Sequence, residues 1–283
     1  MNQLASRLPV PIVVLSIVAL LIYGPIPQFA DYHDFADQRA LFGVPNAADV
    51  LSNVGFAIVG IWALARLWPA RSDPGIAAGW PGYALFFVAL ILTAAGSSFY
   101  HWAPDNARLL WDRLPIALAC AGLLAAVRAE THPGTHCAAW TSALATLAAA
   151  SVAWWYFTDR NGTGDLRPYL LLQGLPLLLI PLWQTSAGSP TADRVALWSA
   201  IALYALAKVA ELNDHAIFAG SQEISGHTVK HLLAIAASAI IAARLVARAR
   251  GQGLAPRRGS RAHRGGQTIC LSVLALRVPN NHH

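Results

Sequence analysis

Residues 97–112 read SSFYHWAPDNARLLWD, and the character of the whole chain turns on this stretch. It lies where one long apolar segment ends and the next begins. Polar side chains at the edge of an apolar span are expensive, so their default reading is a functional site. Ser97 and His101 stand four apart, and on a helix they share one face, about 6 Å from each other. Asp112 follows eleven residues after His101, near the start of the next apolar segment.

The surrounding composition sets the solvent. Of 283 residues, 56% are hydrophobic and 12% are charged, where a soluble domain carries roughly 25% charged residues. The chain has eight apolar segments, 10–23, 48–68, 81–100, 109–127, 138–157, 169–183, 195–209 and 227–246, and several of them approach the ~20 residues that cross a bilayer. The expectation is an all-α polytopic membrane protein. For the first segment a signal peptide is the alternative, but Gly24-Pro25-Ile26-Pro27 follows it instead of a small-residue cleavage site, which favours a retained helix. Pro115, Pro176 and Pro181 fall inside spans, where neighbouring helices or waters can satisfy the freed carbonyls.

The net charge of +6 does not point to nucleic acid, because much of the excess sits after Ala243. The second, fourth and sixth loops carry Arg66, Arg71, Arg128 and Arg194, and the tail carries Arg244, Arg248, Arg250, Arg257, Arg258, Arg261 and Arg264. The first and seventh loops are acidic, with Asp31, Asp34, Asp37, Glu211, Asp214 and Glu223. Eight helices with both termini cytoplasmic satisfy the positive-inside rule. Residues 97–112, the head of the last helix and the acidic first loop then share the non-cytoplasmic face. Cys120, Cys137 and Cys270 are spaced neither as a metal pair nor as a disulfide framework.

The last apolar segment opens on a second polar pair. His227 and His231 are four apart and project both imidazoles the same way. Three imidazoles from two helices can hold zinc and leave a fourth tetrahedral position for water, the arrangement of a catalytic site. Zinc lowers the pKa of such a water towards ~7. Asp112 could act on it as general base, and Ser97 could donate to a developing oxyanion. Each piece also has a plain structural reading: Asp112 as the partner of Arg108 or Arg113, Ser97 as a small packing residue between helices.

Taken together, Ser97-x-x-x-His101, Asp112 and His227-x-x-x-His231 resemble the signature of the alkaline ceramidase family. That family sits in a wider superfamily with adiponectin-receptor-like proteins and GPI-lipid-remodelling hydrolases. The resemblance covers residues 31–246. It implies a seven-helix bundle, formed by the second to eighth segments, with the first helix as an N-terminal addition. It implies that His101, His227 and His231 bind Zn2+, that Asp112 activates water and that Ser97 supports the transition state. The implied reaction cleaves a ceramide-like membrane lipid at its amide bond to a fatty acid and a sphingoid-type base. Hydrolysis of another lipid (an ester or a GPI-type lipid) and a receptor-like protein with structural zinc are the alternatives.

Family members also hold Ca2+ through an acidic Asp-Trp-type segment. The similar region here holds Asp31, Tyr32, Asp34, Asp37, Asn46 and Asp49, of which Asp31, Tyr32, Asp34 and Asn46 are the candidate ligands, with tyrosine where tryptophan is usual; a merely solvated acidic loop is the alternative. Two more polar groups fall on the same face, Asp165 with Arg167, Tyr169 and Gln173, and Lys208 with Glu211 and Asp214; structural ion pairs that close the bundle are the expectation for both, with lining of a substrate headgroup pocket as the alternative. His33 and His215 share that face, whereas His132, His136 and His263 do not. The chain divides into an N-terminal helix and linker (1–30), the hydrolase-like domain (31–250) and a basic tail (251–283) expected to be disordered.

Overall fold

The structure, a computed structural model, describes residues 8–253. Arg7, the end of the tail with Arg257, Arg258, Arg261, His263, Arg264 and Cys270, and its apolar patch 269–276 lie outside the described residues. Among the described residues each of the eight apolar segments is helical. In chain order the helices are α1 (Pro9–Tyr23), α2 (Ala47–Ser52), α3 (Val54–Leu67), α4 (Pro74–Ala77), α5 (Trp80–Trp102), α6 (Asn106–Thr131), α7 (Cys137–Arg160), α8 (Arg167–Ser186), α9 (Thr191–Leu212), α10 (Asp214–Ser221) and α11 (Gly226–Gly253). Among the described residues six spans are long and apolar enough to cross a membrane: α2 with α3, α5, α6, α7, α9 and α11. The protein is an all-α, multi-pass integral membrane protein.

Six helices close a ring in which α3 packs on α5, α5 on α6, α6 on α8, α8 on α9, α9 on α11, and α11 back on α3. Helix α7 lies outside this ring against α6 and α8, and α1 packs on α8. The outer surface exposes Ile58, Val88, Leu92, Leu147, Leu206 and Leu232, side chains that are stable there only in contact with acyl chains. Exposed tryptophans cluster towards the helix ends, with Trp102, Trp111 and Trp154 at one and Trp68, Trp140 and Trp198 at the other. Such belts mark the two bilayer interfaces.

At the second of these ends Arg248 reaches the Gly75 carbonyl at 3.0 Å and Asp193 at 3.1 Å and pairs with Glu130. Arg244 Nε donates to Asp193 Oδ1 at 2.5 Å. These contacts gather the even-numbered loops and the tail root at one end, and leave 24–46, 103–105, 161–166 and 213–225 at the other. There Asp165 and Arg167 form the expected ion pair at 2.8 Å. Burial pushes the Asp165 carboxyl up, but hydrogen bonds from Arg167 and Trp154 outweigh it and hold the group down at about 2. A carboxylate depressed in this way stabilises at neutral pH and loses its contribution only as the pH falls through that low value.

The turn from α5 to α6 is written locally. Ala103 leaves helical geometry at φ −154°, Pro104 follows it, and Asp105 caps the new helix by accepting from the Arg108 amide at 2.7 Å. The same carboxylate pairs with the Arg108 side chain. Below the turn the two helices touch backbone to backbone. A Cβ on Gly96 would come within 2.0 Å of the Trp111 carbonyl oxygen, and small residues permit such approaches in membrane bundles. Because that oxygen cannot swing aside, Gly96→Ala is expected to cost about 1–3 kcal/mol. The check is the thermal unfolding midpoint in detergent, which an unstrained interface would leave unchanged.

Candidate metal centre

Gly96 and Trp111 are the neighbours of Ser97 and Asp112, so the close approach sets those two polar side chains side by side. Ser97 is 2% and Asp112 5% exposed, and the Ser97 hydroxyl lies close to the Asp112 carboxylate. Among the described residues Asp112 makes no ion pair; Arg108 is held by Asp105 instead. Ser98 points away, donating to the Val50 carbonyl at 3.0 Å.

His101 lies one turn above Ser97 on α5. His227 and His231 come from the head of α11, which is seated from two sides. A Cβ on Gly226 would meet the Ala210 carbonyl oxygen at 2.2 Å, so α11 starts hard against the end of α9. Asp214 accepts the His227 amide at 2.7 Å and the Ala36 amide at 2.9 Å. On the other side Thr228 Oγ1 donates to Asp49 Oδ1 at 2.6 Å. The result brings His101, His227 and His231 together, all buried, with one ring nitrogen of each within 4.8 Å of the others. Phe35, from the loop before α2, packs with ring centroids 4.6 Å from both His101 and His227, tilted against the first and edge-to-face with the second.

The donor set fits zinc. Tetrahedral zinc with Zn–N of about 2.0–2.1 Å places its ligand nitrogens about 3.3 Å apart, and His101 Nε2 lies 3.1 Å from His227 Nε2. The tautomer of His231 is set by its surroundings. Ser52 Oγ donates to the Asp49 carbonyl at 3.1 Å and therefore accepts from His231 Nδ1 at 2.8 Å, which leaves the Nε2 lone pair for a cation. His227 Nε2 is approached by both His101 and the Lys230 ammonium, the latter at 2.7 Å. One lone pair cannot serve two donors, and a cation among the rings resolves the conflict while Lys230 keeps Glu211 Oε1 at 3.0 Å. Hydrogen bonds that orient a ligating histidine are worth roughly 10–100-fold in metal affinity. Ser52→Ala is expected to weaken zinc by that factor in chelator competition; equal affinity would show that another contact orients His231.

The calcium set does not fit in this arrangement. Asp31 and Asp34 are exposed, and Asp34 is engaged by Gln38 and by His215, whose Nε2 meets its carbonyl at 3.0 Å. Asn46 turns its amide nitrogen to the His101 carbonyl at 2.8 Å. Tyr32 lies against the Arg113 guanidinium. Among the described residues the group of three or more His, Cys, Asp or Glu side chains that closes to metal distances is the histidine trio.

A cavity of about 950 Å³ opens on this centre. His227, His231, Ser97 and Asp112 form its polar end, and Phe86, Leu90 and Ile241 its apolar depth. Lys208 and Lys230 share Glu211 on its wall, at 2.8 and 3.0 Å. Tyr169 and Gln173 line it as well, whereas Asp165 and Arg167 pair outside it. His33 is bound by Tyr100 Oη and Asn106, each at 2.8 Å; it braces the loop before α2 and faces no cation. His132 bonds Thr131 at the far end. Ser52 and Phe35 carry no sequence signal as parts of the centre, because each acquires its role from a partner distant in the chain; Lys230 lies one turn from His227 and was legible only as a charge on the last helix. Comparison of the chain with protein-family models, with curated proteins and with solved structures returns no match.

Proposed function

We propose that the protein is a zinc-dependent membrane amidohydrolase that cleaves the amide bond of a ceramide-like lipid into a fatty acid and a sphingoid-type base. The observation that carries this reading is the convergence of three buried histidines beside Ser97 and Asp112 at the polar end of a cavity whose depth is apolar. When bound by His101, His227 and His231, zinc supplies a Lewis acid that activates water at neutral pH. Asp112 takes the proton of the attacking water, and its lack of an ion-pair partner leaves it available for this. Ser97 donates a hydrogen bond, first to Asp112 and then to the oxygen of the substrate carbonyl as charge builds there. Asp112 then returns its proton to the leaving amine.

The acyl chain occupies the apolar depth, and the amide reaches the histidines. We place this end of the bundle on the non-cytoplasmic face, because the arginines gather at the other end. Esters and GPI-type lipids are compatible with the same groups. A receptor-like protein with structural zinc is the rival reading, and the cavity reaching two of the three histidines weighs against it. The test is elemental analysis of the purified protein together with hydrolysis of a fluorescent ceramide. Near-stoichiometric zinc with turnover that a chelator removes and zinc restores is the expected result. Stoichiometric zinc with no hydrolysis of any acyl amide or ester would establish the structural role instead.

A further inference from the structure

Arg113 is the group in the cavity wall that the proposed chemistry does not use. It is 3% exposed and lines the cavity, and among the described residues no carboxylate forms an ion pair with it. Its Nε and Nη1 have no hydrogen-bond partner. Aromatic rings cover its faces instead, with the guanidinium carbon 4.0 Å from the Trp155 ring centroid, 5.0 Å from that of Tyr32 and 5.5 Å from that of Tyr169. Cation–π contact satisfies the faces of a guanidinium but not its in-plane N–H groups. Those edges match a carboxylate or a phosphate. Removing a charge from water without such a partner is costly, so an ionised residue kept this way inside a membrane bundle marks a ligand site.

One neighbour on the wall is unsatisfied as well. Tyr204 Oη, also on the cavity, is buried without a partner. Lys208 and Lys230 have one carboxylate, Glu211, between them. Of the other acidic side chains on the wall, Asp214 is engaged by two backbone amides, Asp112 stands beside Ser97, and Asp31 and Asp34 are exposed. The buried Arg113 Nε and Nη1 and the Tyr204 Oη thus face the cavity without a partner. An uncharged ceramide would leave Arg113 unanswered.

We propose that the preferred ligand is an acyl lipid amide bearing an anionic group, a carboxylate or a phosphate, on its amine portion, and that Arg113 receives that group. The amide part rests on the function proposed above; the preference for an anion rests on Arg113 alone.

The experiment measures binding of radiolabelled N-oleoylglycine to metal-stripped full-length protein in detergent, with displacement by N-oleoylethanolamine, by its phosphate ester and by oleate. N-Oleoylglycine and N-oleoylethanolamine share the chain and the amide and differ in charge. Wild type is expected to hold N-oleoylglycine, or the phosphate ester, at least about tenfold more tightly than neutral N-oleoylethanolamine, since a hydrogen bond to a charged group contributes at least that factor. The tighter of the two anions identifies the group. In Arg113→Gln the ratio is expected to fall close to one while the neutral amide still binds, which also reports that the variant is folded; Arg113→Lys should keep part of the preference. A wild-type ratio near one overturns the proposal without recourse to any variant, as does a ratio that Arg113→Gln leaves intact. Arg113-dependent binding of oleate alone overturns it too, by assigning the site to the product acid. Selective anion binding with no hydrolysis by the zinc-loaded protein would sink the amidohydrolase and keep the anion site. Hydrolysis with no anion preference would do the reverse.

Discussion

Asp112→Asn is expected to lower turnover of an acyl amide by about 10²–10⁴-fold, the range that one positioned general base contributes, with zinc content unchanged. Asparagine keeps the size of the side chain and can still accept a hydrogen bond from Ser97, but it cannot take a proton. Asp112 is buried at the cavity wall, outside the histidine trio, so the loss should fall on the chemical step rather than on metal retention. The measurement is kcat on purified protein alongside zinc by elemental analysis. Wild-type turnover at full zinc occupancy would remove Asp112 from the mechanism and leave the water to be activated by another group.

His231→Ala is expected to abolish both zinc retention and turnover, because two imidazoles cannot hold what three hold. Loss of a bond that only orients a ligand already costs 10–100-fold in metal affinity, so loss of the ligand itself should cost more than about 100-fold. Buried at 3% exposure, His231 also leaves a gap beside Phe56, and some loss of stability is expected with it. His132→Ala controls for this: that ring lies at the far end beside Thr131, and its removal should leave zinc and turnover at wild-type levels. Full zinc occupancy in His231→Ala would break the assignment of the trio as one centre.

The helices were legible because their cause is local. A run of apolar residues of bilayer length has nowhere to satisfy its backbone except within itself, and each of the eight runs forms a helix. The observed helices extend past the apolar runs, as at Thr191–Leu212 against 195–209, since charged ends such as Asp193 and Glu211 continue the backbone pattern without adding to the apolar signal. The break at Asn53 between α2 and α3 left no such signal. It matters to the site, because the residue before it, Ser52, holds His231.

The acidic first loop shows the opposite case. Its composition resembled an oxygen-ligand set, yet composition does not say which way side chains turn, and here Asn46 and Asp34 are spent on protein partners. Lys208 and Glu211 were read as an ion pair, and they form one. The sequence could not tell that Lys230 would share the carboxylate, nor that Arg113 would have none.

By itself, the sequence determined the solvent, the helices and the two local pairs, Ser97 with His101 and His227 with His231, because bilayer length and helical period act over a few turns. The tertiary structure alone decided that these pairs meet, that Asp112 lies beside Ser97, and that Arg113 sits unpaired in a cage of rings. Those outcomes depend on backbones approaching at Gly96 and Gly226, where a single methyl group would force the helices apart, and close packing between separate helices has no counterpart in local sequence.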